Sequence, residues 1–164
     1  MNILITGGGG FIGKSLSQLF IEDEYDSYAP TRKELDVCDI NQLENLFKIN
    51  KFDIVIHSAI NGGRKYIKKD TLDMFYQNIL IQENLLFFKR HYHKLILFGS
   101  GSEFNQDENI NNRKESEYHS IPAQNYSFFK YIQSHRVKHE DKVTNLRLFN
   151  IFGPLETERF IAYC

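Results

Sequence analysis

The stretch Met1–Gly13, "MNILITGGGGFIG", decides how the rest of the chain is read. Ile3, Leu4 and Ile5 make an apolar run with strand character, and four glycines follow at once, with a fifth at Gly13. Beyond them Lys14–Ile21 carries Leu16, Leu19 and Phe20 at helical spacing. Gly7, Gly10 and Gly13 stand three apart, as T-G-x-x-G-x-x-G. In an α/β sheet such a turn lies at the carboxyl end of its strand, where ligands bind. Gly7 permits the tight turn, Gly10 has no side chain to block a pyrophosphate, and Gly13 lets the helix pack close to the strand. The helix amino terminus offers an anion free N–H groups and a positive dipole end, and Phe11 and Ile12 join Gly7, Gly10 and Gly13 as candidate cofactor contacts. A flexible turn is the alternative, but it does not account for a strand before and a helix after.

Outward from this turn, strand and helix patterns alternate. Tyr25–Ala29 predicts a weak strand, Leu35–Val37 a short one, Asn41–Ile49 a helix and Asp53–Ser58 a strand. Thr71–Arg90 predicts a long helix, Lys94–Gly99 a strand, Ala123–His139 a helix and Thr144–Phe149 a strand. "DIVIHS" and "KLILFGS" are almost continuously apolar, as in strands covered on both faces. The alternation implies parallel pairing with right-handed crossovers, hence a doubly wound α/β fold with helices on both faces of one sheet. The polar stretch Asn105–His119 predicts a long surface loop.

Bulk properties narrow the function. The 164 residues suffice for one domain, and a net charge of −1 leaves no basic footprint for nucleic acid. No apolar run reaches the ~18 residues of a membrane span, and the amino terminus lacks the basic region of a signal peptide. Two cysteines, Cys38 and Cys164, do not make a disulfide framework, so a cytoplasmic setting is expected. His135 and His139 are spaced as a metal pair, but no third ligand accompanies them and no metal is expected. His57, at the end of an apolar strand, is expected to be a packed core histidine.

A further constellation carries a resemblance. Tyr126-Ser-Phe-Phe-Lys130 is a Y-x-x-x-K, whose ends are neighbours on a helix, and "LFGSGSEF" supplies serines at a strand end upstream. With the glycine turn, this order of Ser, Tyr and Lys resembles the short-chain dehydrogenase/reductase superfamily. The glycine spacing matches its extended branch, the nucleotide-sugar epimerases, dehydratases and reductases. "ELDVCD", "DIVIHSAI", "FYQNILIQENLL" and "RLFNIFGP" are similar to further family segments in the same order, nearest to the GDP-fucose synthase-like enzymes.

The resemblance implies a Rossmann domain spanning 1–164 and hydride transfer on a nucleotide-activated sugar, in polysaccharide precursor synthesis. It makes Tyr126 the acid/base, Lys130 the cation that favours its phenolate and Ser100 the donor to the reacting oxygen. It assigns Asp36, Val37, Ser58, Ala59, Asn78, Phe149 and Asn150 to the cofactor, and Ser102 and Asn150 to the substrate; Arg159, which is suited to grip a substrate phosphate, is a further substrate candidate. No acid precedes Glu34 at the end of the second strand, whereas Arg32 suits a 2′-phosphate, so NADP is expected ahead of NAD. Gly101 and Ser102 stand where dehydratases carry Asp-Glu, which favours epimerase or reductase. The cysteine and histidine that GDP-fucose synthases use in epimerisation have no counterpart at Ser102 and Arg159. The resemblance also implies a homodimer through the helices at 71–90 and 123–139. Ten residues follow Pro154, so a fragment or a split chain lacking most of the substrate domain is expected. A dinucleotide-binding module without turnover is therefore the alternative to an enzyme.

Overall fold

The computed structural model describes residues 1–62, 70–104, 112, 114–118 and 120–155. Among them the strands are β1 (Asn2–Thr6), β2 (Asp26–Tyr28), β3 (Phe52–His57), β4 (Tyr92–Ser100) and β5 (Val143–Leu148). The helices between them are α1 (Phe11–Glu22), α2 (Ile40–Ile49), α3 (Leu72–Phe87) and α4 (Asn125–Val137). Every pairing is parallel and the order is β2-β1-β3-β4-β5. The chain thus moves outward from β1 to β2, then returns past β1 to β3. Right-handed crossovers put α1 on one face and α2, α3 and α4 on the other. The core divides accordingly. Leu16 and Phe20 of α1 pack with Ile3, Ile5 and Ile56. Leu43 and Phe47 of α2, Leu85 and Leu86 of α3 and Val137 of α4 pack with Leu4, Val55, Leu95 and Leu97. The doubly wound α/β reading holds, and the strand order reverses between β1 and β3, which opens a crevice at their carboxyl ends.

Besides shifts of a few residues at the ends of β4, α3 and α4, three differences from the sequence reading stand out. Leu35–Val37 is no strand. Asn84 of α3 donates to the carbonyls of Val37 and Cys38 at 2.9 and 3.1 Å, and the Cys38 N–H goes to Asp36 Oδ1 at 3.0 Å. These side-chain bonds satisfy the backbone in a turn, while Leu35 and Val37 still bury their side chains. Helix α1 starts at Phe11 and includes Gly13 as a buried residue of its first turn. Strand β2 is short, Asp26–Tyr28, pairing only with β1 at the sheet edge. The predicted loop at 105–119 lies mostly outside the described residues.

Candidate active site

The glycine turn is built by close backbone packing. Gly7 has φ +78°, in the left-handed region, and a Cβ there would lie 2.6 Å from the Ala59 nitrogen at the end of β3. A Cβ at Gly13 would lie 2.3 Å from the Gly7 carbonyl oxygen, so α1 starts hard against the turn. Gly10 donates to the Gly7 carbonyl at 2.9 Å and is the N-cap of α1, with no side chain capping the helix. A Cβ on Gly10 would meet only the Gly7 oxygen, at 3.3 Å, and one on Gly9 nothing nearer than 3.6 Å. The N–H groups of Phe11, Ile12 and Gly13 that open α1 are therefore approached over Gly9 and Gly10, which carry no side chain, and this fits a pyrophosphate. Sequence spacing singled out Gly7, Gly10 and Gly13 but passed over Gly8. A Cβ on Gly8 would fall 2.0 Å from the Ala29 oxygen, and the Gly8 N–H donates to the Pro30 carbonyl at 3.0 Å. The unbroken run of four glycines was its only signal.

The ends of β1 and β3 are stitched together beneath this turn. Ser58 donates to the Thr6 carbonyl through its hydroxyl at 2.7 Å and its N–H at 3.1 Å. His57 is buried and its Nδ1 lies 2.7 Å from Thr6 Oγ1. Burial, aided by the Lys130 charge, draws its pKa down to about 3, so it is a neutral core histidine, as expected.

After β2, Arg32 Nη1 donates to Asn61 Oδ1 at 3.1 Å and Nη2 lies 3.6 Å from Asp36 Oδ2. Asn78 is buried in α3 and clamps the backbone after β3. Its Oδ1 accepts from the Asn61 N–H at 2.9 Å and its Nδ2 donates to the Asn61 carbonyl at 2.7 Å. Asn78 thus shapes the crevice wall through Asn61.

At the far side, Ser100 ends β4 and caps the 3-10 turn Gly101–Glu103 by accepting from the Ser102 N–H at 3.2 Å. Ser102 is buried and its hydroxyl donates to Ser100 Oγ at 3.0 Å, so the two serines act as a pair. Lys130 is buried in α4, where its Nζ donates to the Phe98 carbonyl at 2.6 Å and to Gln133 Oε1 at 3.1 Å. It lies 5.8 Å from the centre of the Tyr126 ring. Burial draws Lys130 down to about 7, opposed by the Glu103 carboxylate. The Tyr126 N–H donates to Asp70 Oδ1 at 3.0 Å, which fixes the start of α4. A Cβ on Gly101 would lie 2.4 Å from the Phe149 ring, so Phe149 rests on the turn after β4. Asn150 is exposed beyond β5, and Arg159 lies outside the described residues. Asp70 and Glu103 were not anticipated. Both act across long sequence separations, where no local pattern marks them.

A cavity of about 440 Å³ lined by Glu44, Lys48, Phe87, Phe88, Arg90 and His91 lies by the carboxyl ends of α2 and α3, away from these groups. Among the described residues no group of three or more His, Cys, Asp or Glu could hold a metal, and no helix is long and apolar enough to cross a membrane.

A parallel sheet with a glycine turn at its switch point defines a dinucleotide-binding class of fold. The NAD dependent epimerase/dehydratase family model matches residues 3–164, and the chain belongs to that family. It is 29% identical to a GDP-L-colitose synthase of Yersinia pseudotuberculosis, over 65% of this chain and 36% of that protein. It is 32% identical to a dTDP-D-glucose 4,6-dehydratase of Dictyostelium discoideum, over 93% of this chain and 44% of that protein. Among solved structures, a GDP-D-glycero-L-gluco-heptose synthase from Campylobacter jejuni, determined in the presence of NADPH, superimposes with a TM-score of 0.78 at 24% identity. That match covers 97% of this chain and 50% of the other. The chain thus spans half or less of the length of each of these three proteins.

Proposed function

We propose that residues 1–164 form the NADP-binding domain of an epimerase/reductase that acts on a nucleotide-activated sugar in a cytoplasmic route to polysaccharide precursors, with NAD as the lesser cofactor. The observation that carries the reading is the uncapped start of α1 behind a glycine turn whose Gly7 packs on Ala59, at the reversal of strand order. Phe11, Ile12 and Gly13 would hold the pyrophosphate through their N–H groups, and Arg32 would meet the 2′-phosphate. Asp36 and Val37 would border the adenine, Ser58 and Ala59 the crevice floor, and Phe149 and Asn150 the nicotinamide side.

When bound, the dinucleotide gives or takes a hydride. The chain's own residues handle the proton. Tyr126 donates its phenolic proton to the carbonyl oxygen as a keto-sugar becomes an alcohol, and removes it in the reverse direction. A phenol ordinarily loses its proton near pH ~10, so a cation at Lys130 is needed to favour the phenolate near neutrality. Ser100, oriented by Ser102, donates to the same sugar oxygen and holds it in line. Ser102 and Arg159 are assigned to the substrate.

Thermal denaturation with NADPH and with NADH tests the reading, because a ligand of the native state raises the midpoint. NADPH is expected to raise it more. Reduction of a keto-sugar nucleotide is expected from the wild type and is lost in Tyr126→Phe, which keeps NADPH binding. Binding without turnover in the wild type would instead assign the chain as a dinucleotide-binding module.

A further inference from the structure

Glu103 is fully buried and accepts from three donors: Ser134 Oγ and Arg147 Nε at 2.6 Å each, and the Tyr118 hydroxyl at 2.7 Å. An ionised carboxylate only accepts. Ser134 therefore commits its proton to Glu103, and its oxygen accepts from Asn145 Nδ2 at 2.7 Å. That sets the Asn145 amide, whose Oδ1 accepts from Gln133 Nε2 at 2.8 Å. Gln133 is set in turn. Its NH₂ also donates to the Phe98 carbonyl at 3.2 Å, which leaves its Oε1 facing Lys130 Nζ at 3.1 Å. Flipping either amide would put donor against donor or acceptor against acceptor, so the chain has one polarity. Gly99 makes room for it, since a Cβ there would lie 3.0 Å from both polar atoms of the Asn145 amide.

A lysine ammonium has three N–H bonds. Among the described residues Phe98 and Gln133 accept two of them. We propose that Gln133 is a positioning residue for Lys130. Its amide, oriented from Glu103 through Ser134 and Asn145, fixes two N–H bonds on the protein and leaves the third for the bound dinucleotide. The inference rests on the dinucleotide reading above. The ionisable groups around Lys130 are His57 at the end of β3, Glu103 after β4 and Tyr126 on its own helix. His57 is neutral, so the Gln133 oxygen is the adjustable partner. Its loss removes an acceptor that the charged amine needs more than the neutral one.

The test is lysine-selective carbon-13 NMR on the full chain, with the Lys130 signal identified by its loss in Lys130→Arg. In Gln133→Met, of similar length, Lys130 is expected to titrate about one pH unit lower than in the wild type. NADPH is expected to bind that variant several-fold more weakly. Ser134→Ala cuts the link to Glu103 but keeps Gln133, and should shift the titration the same way by less. An unchanged titration in Gln133→Met overturns the proposal. If that variant does not fold, an unchanged titration in Ser134→Ala overturns it. A shifted titration with unaltered NADPH affinity overturns the part that concerns the cofactor. A wild type that binds neither NADPH nor NADH refutes the dinucleotide reading, and the titration still decides whether Gln133 holds Lys130.

Discussion

Glycines that look alike in sequence have different duties in the turn, and substitution should separate them. Gly13→Ala would drive a Cβ to 2.3 Å from the Gly7 oxygen and 2.9 Å from the Gly8 Cα, both backbone atoms with nowhere to retreat. It is expected to cost about 2–3 kcal/mol and to abolish dinucleotide binding. Gly9→Ala meets only the Thr31 methyl at 3.6 Å, an ordinary contact, and should stay within about 0.5 kcal/mol of the wild type. Urea denaturation of both variants checks the pair, and equal losses would refute the packing account. Gly7 and Gly13 were legible because their spacing encodes a strand-turn-helix geometry. Gly8 was not, because its need for no side chain comes from Ala29, a residue on another strand's exit. Lys130 was legible as a cation near Tyr126 by its helical spacing. Its burial and its hold on Phe98 were not, because those depend on how α4 lies over β4. The local pattern records only what lies within one or two turns.

At the scale of elements, the same division appears in α4. Its Tyr126 and Lys130 were placed on a helix from residue types and spacing, and the helix is there. What positions its first turn comes from elsewhere. Gln124, the N-cap, does not cap the helix with its side chain, and Asp70 supplies the missing acceptor by taking the Tyr126 N–H at 3.0 Å. The Asp70 carbonyl also accepts from Asn125 Nδ2 at 2.9 Å. A carboxylate at this end suits the helix dipole as well. Asp70→Ala is expected to destabilise the protein by about 1 kcal/mol, read as a lower urea midpoint with unchanged slope. Asp70→Asn, which keeps an acceptor and loses the charge, should cost less. If both variants denature like the wild type, Asp70 does not cap α4. The missing strand at Leu35–Val37 has the same cause in reverse: its apolar alternation is real and buries both side chains, but Asn84, from α3, claims the carbonyls a ladder would use.

At the scale of the whole molecule, the parallel, doubly wound architecture followed from alternation and handedness, since those rules act on every crossover alike, whereas the order β2-β1-β3-β4-β5 came from the structure. What lies against the outer side of α3 has no such rule, and the only sequence expectation for it is the homodimer the resemblance implies. Leu72, Tyr76, Leu80 and Phe87 are all exposed. At about 100° per residue their positions fall within an arc of roughly 80° that also holds Glu83, ion-paired to Arg136 of α4 at 3.1 Å, so the apolar side chains share one side of α3 with that pair. Phe75 of α3 stacks on Phe128 of α4 with ring centres 5.4 Å apart, which joins the two helices into a continuous platform. The inward side of α3 is already occupied by Ile81, Leu85 and Leu86 in the core. The homodimer that the family resemblance implies would pack α3 and α4 of a second copy against this face in a two-fold contact, each face against its equivalent. Light scattering coupled to size exclusion is expected to give a dimer for the wild type and a monomer for Leu80→Glu. Because Leu80 lies outside the core, that variant should keep the wild-type circular dichroism and NADPH binding. A wild type that remains monomeric at high concentration, or a Leu80→Glu variant that remains dimeric, would rule out this face.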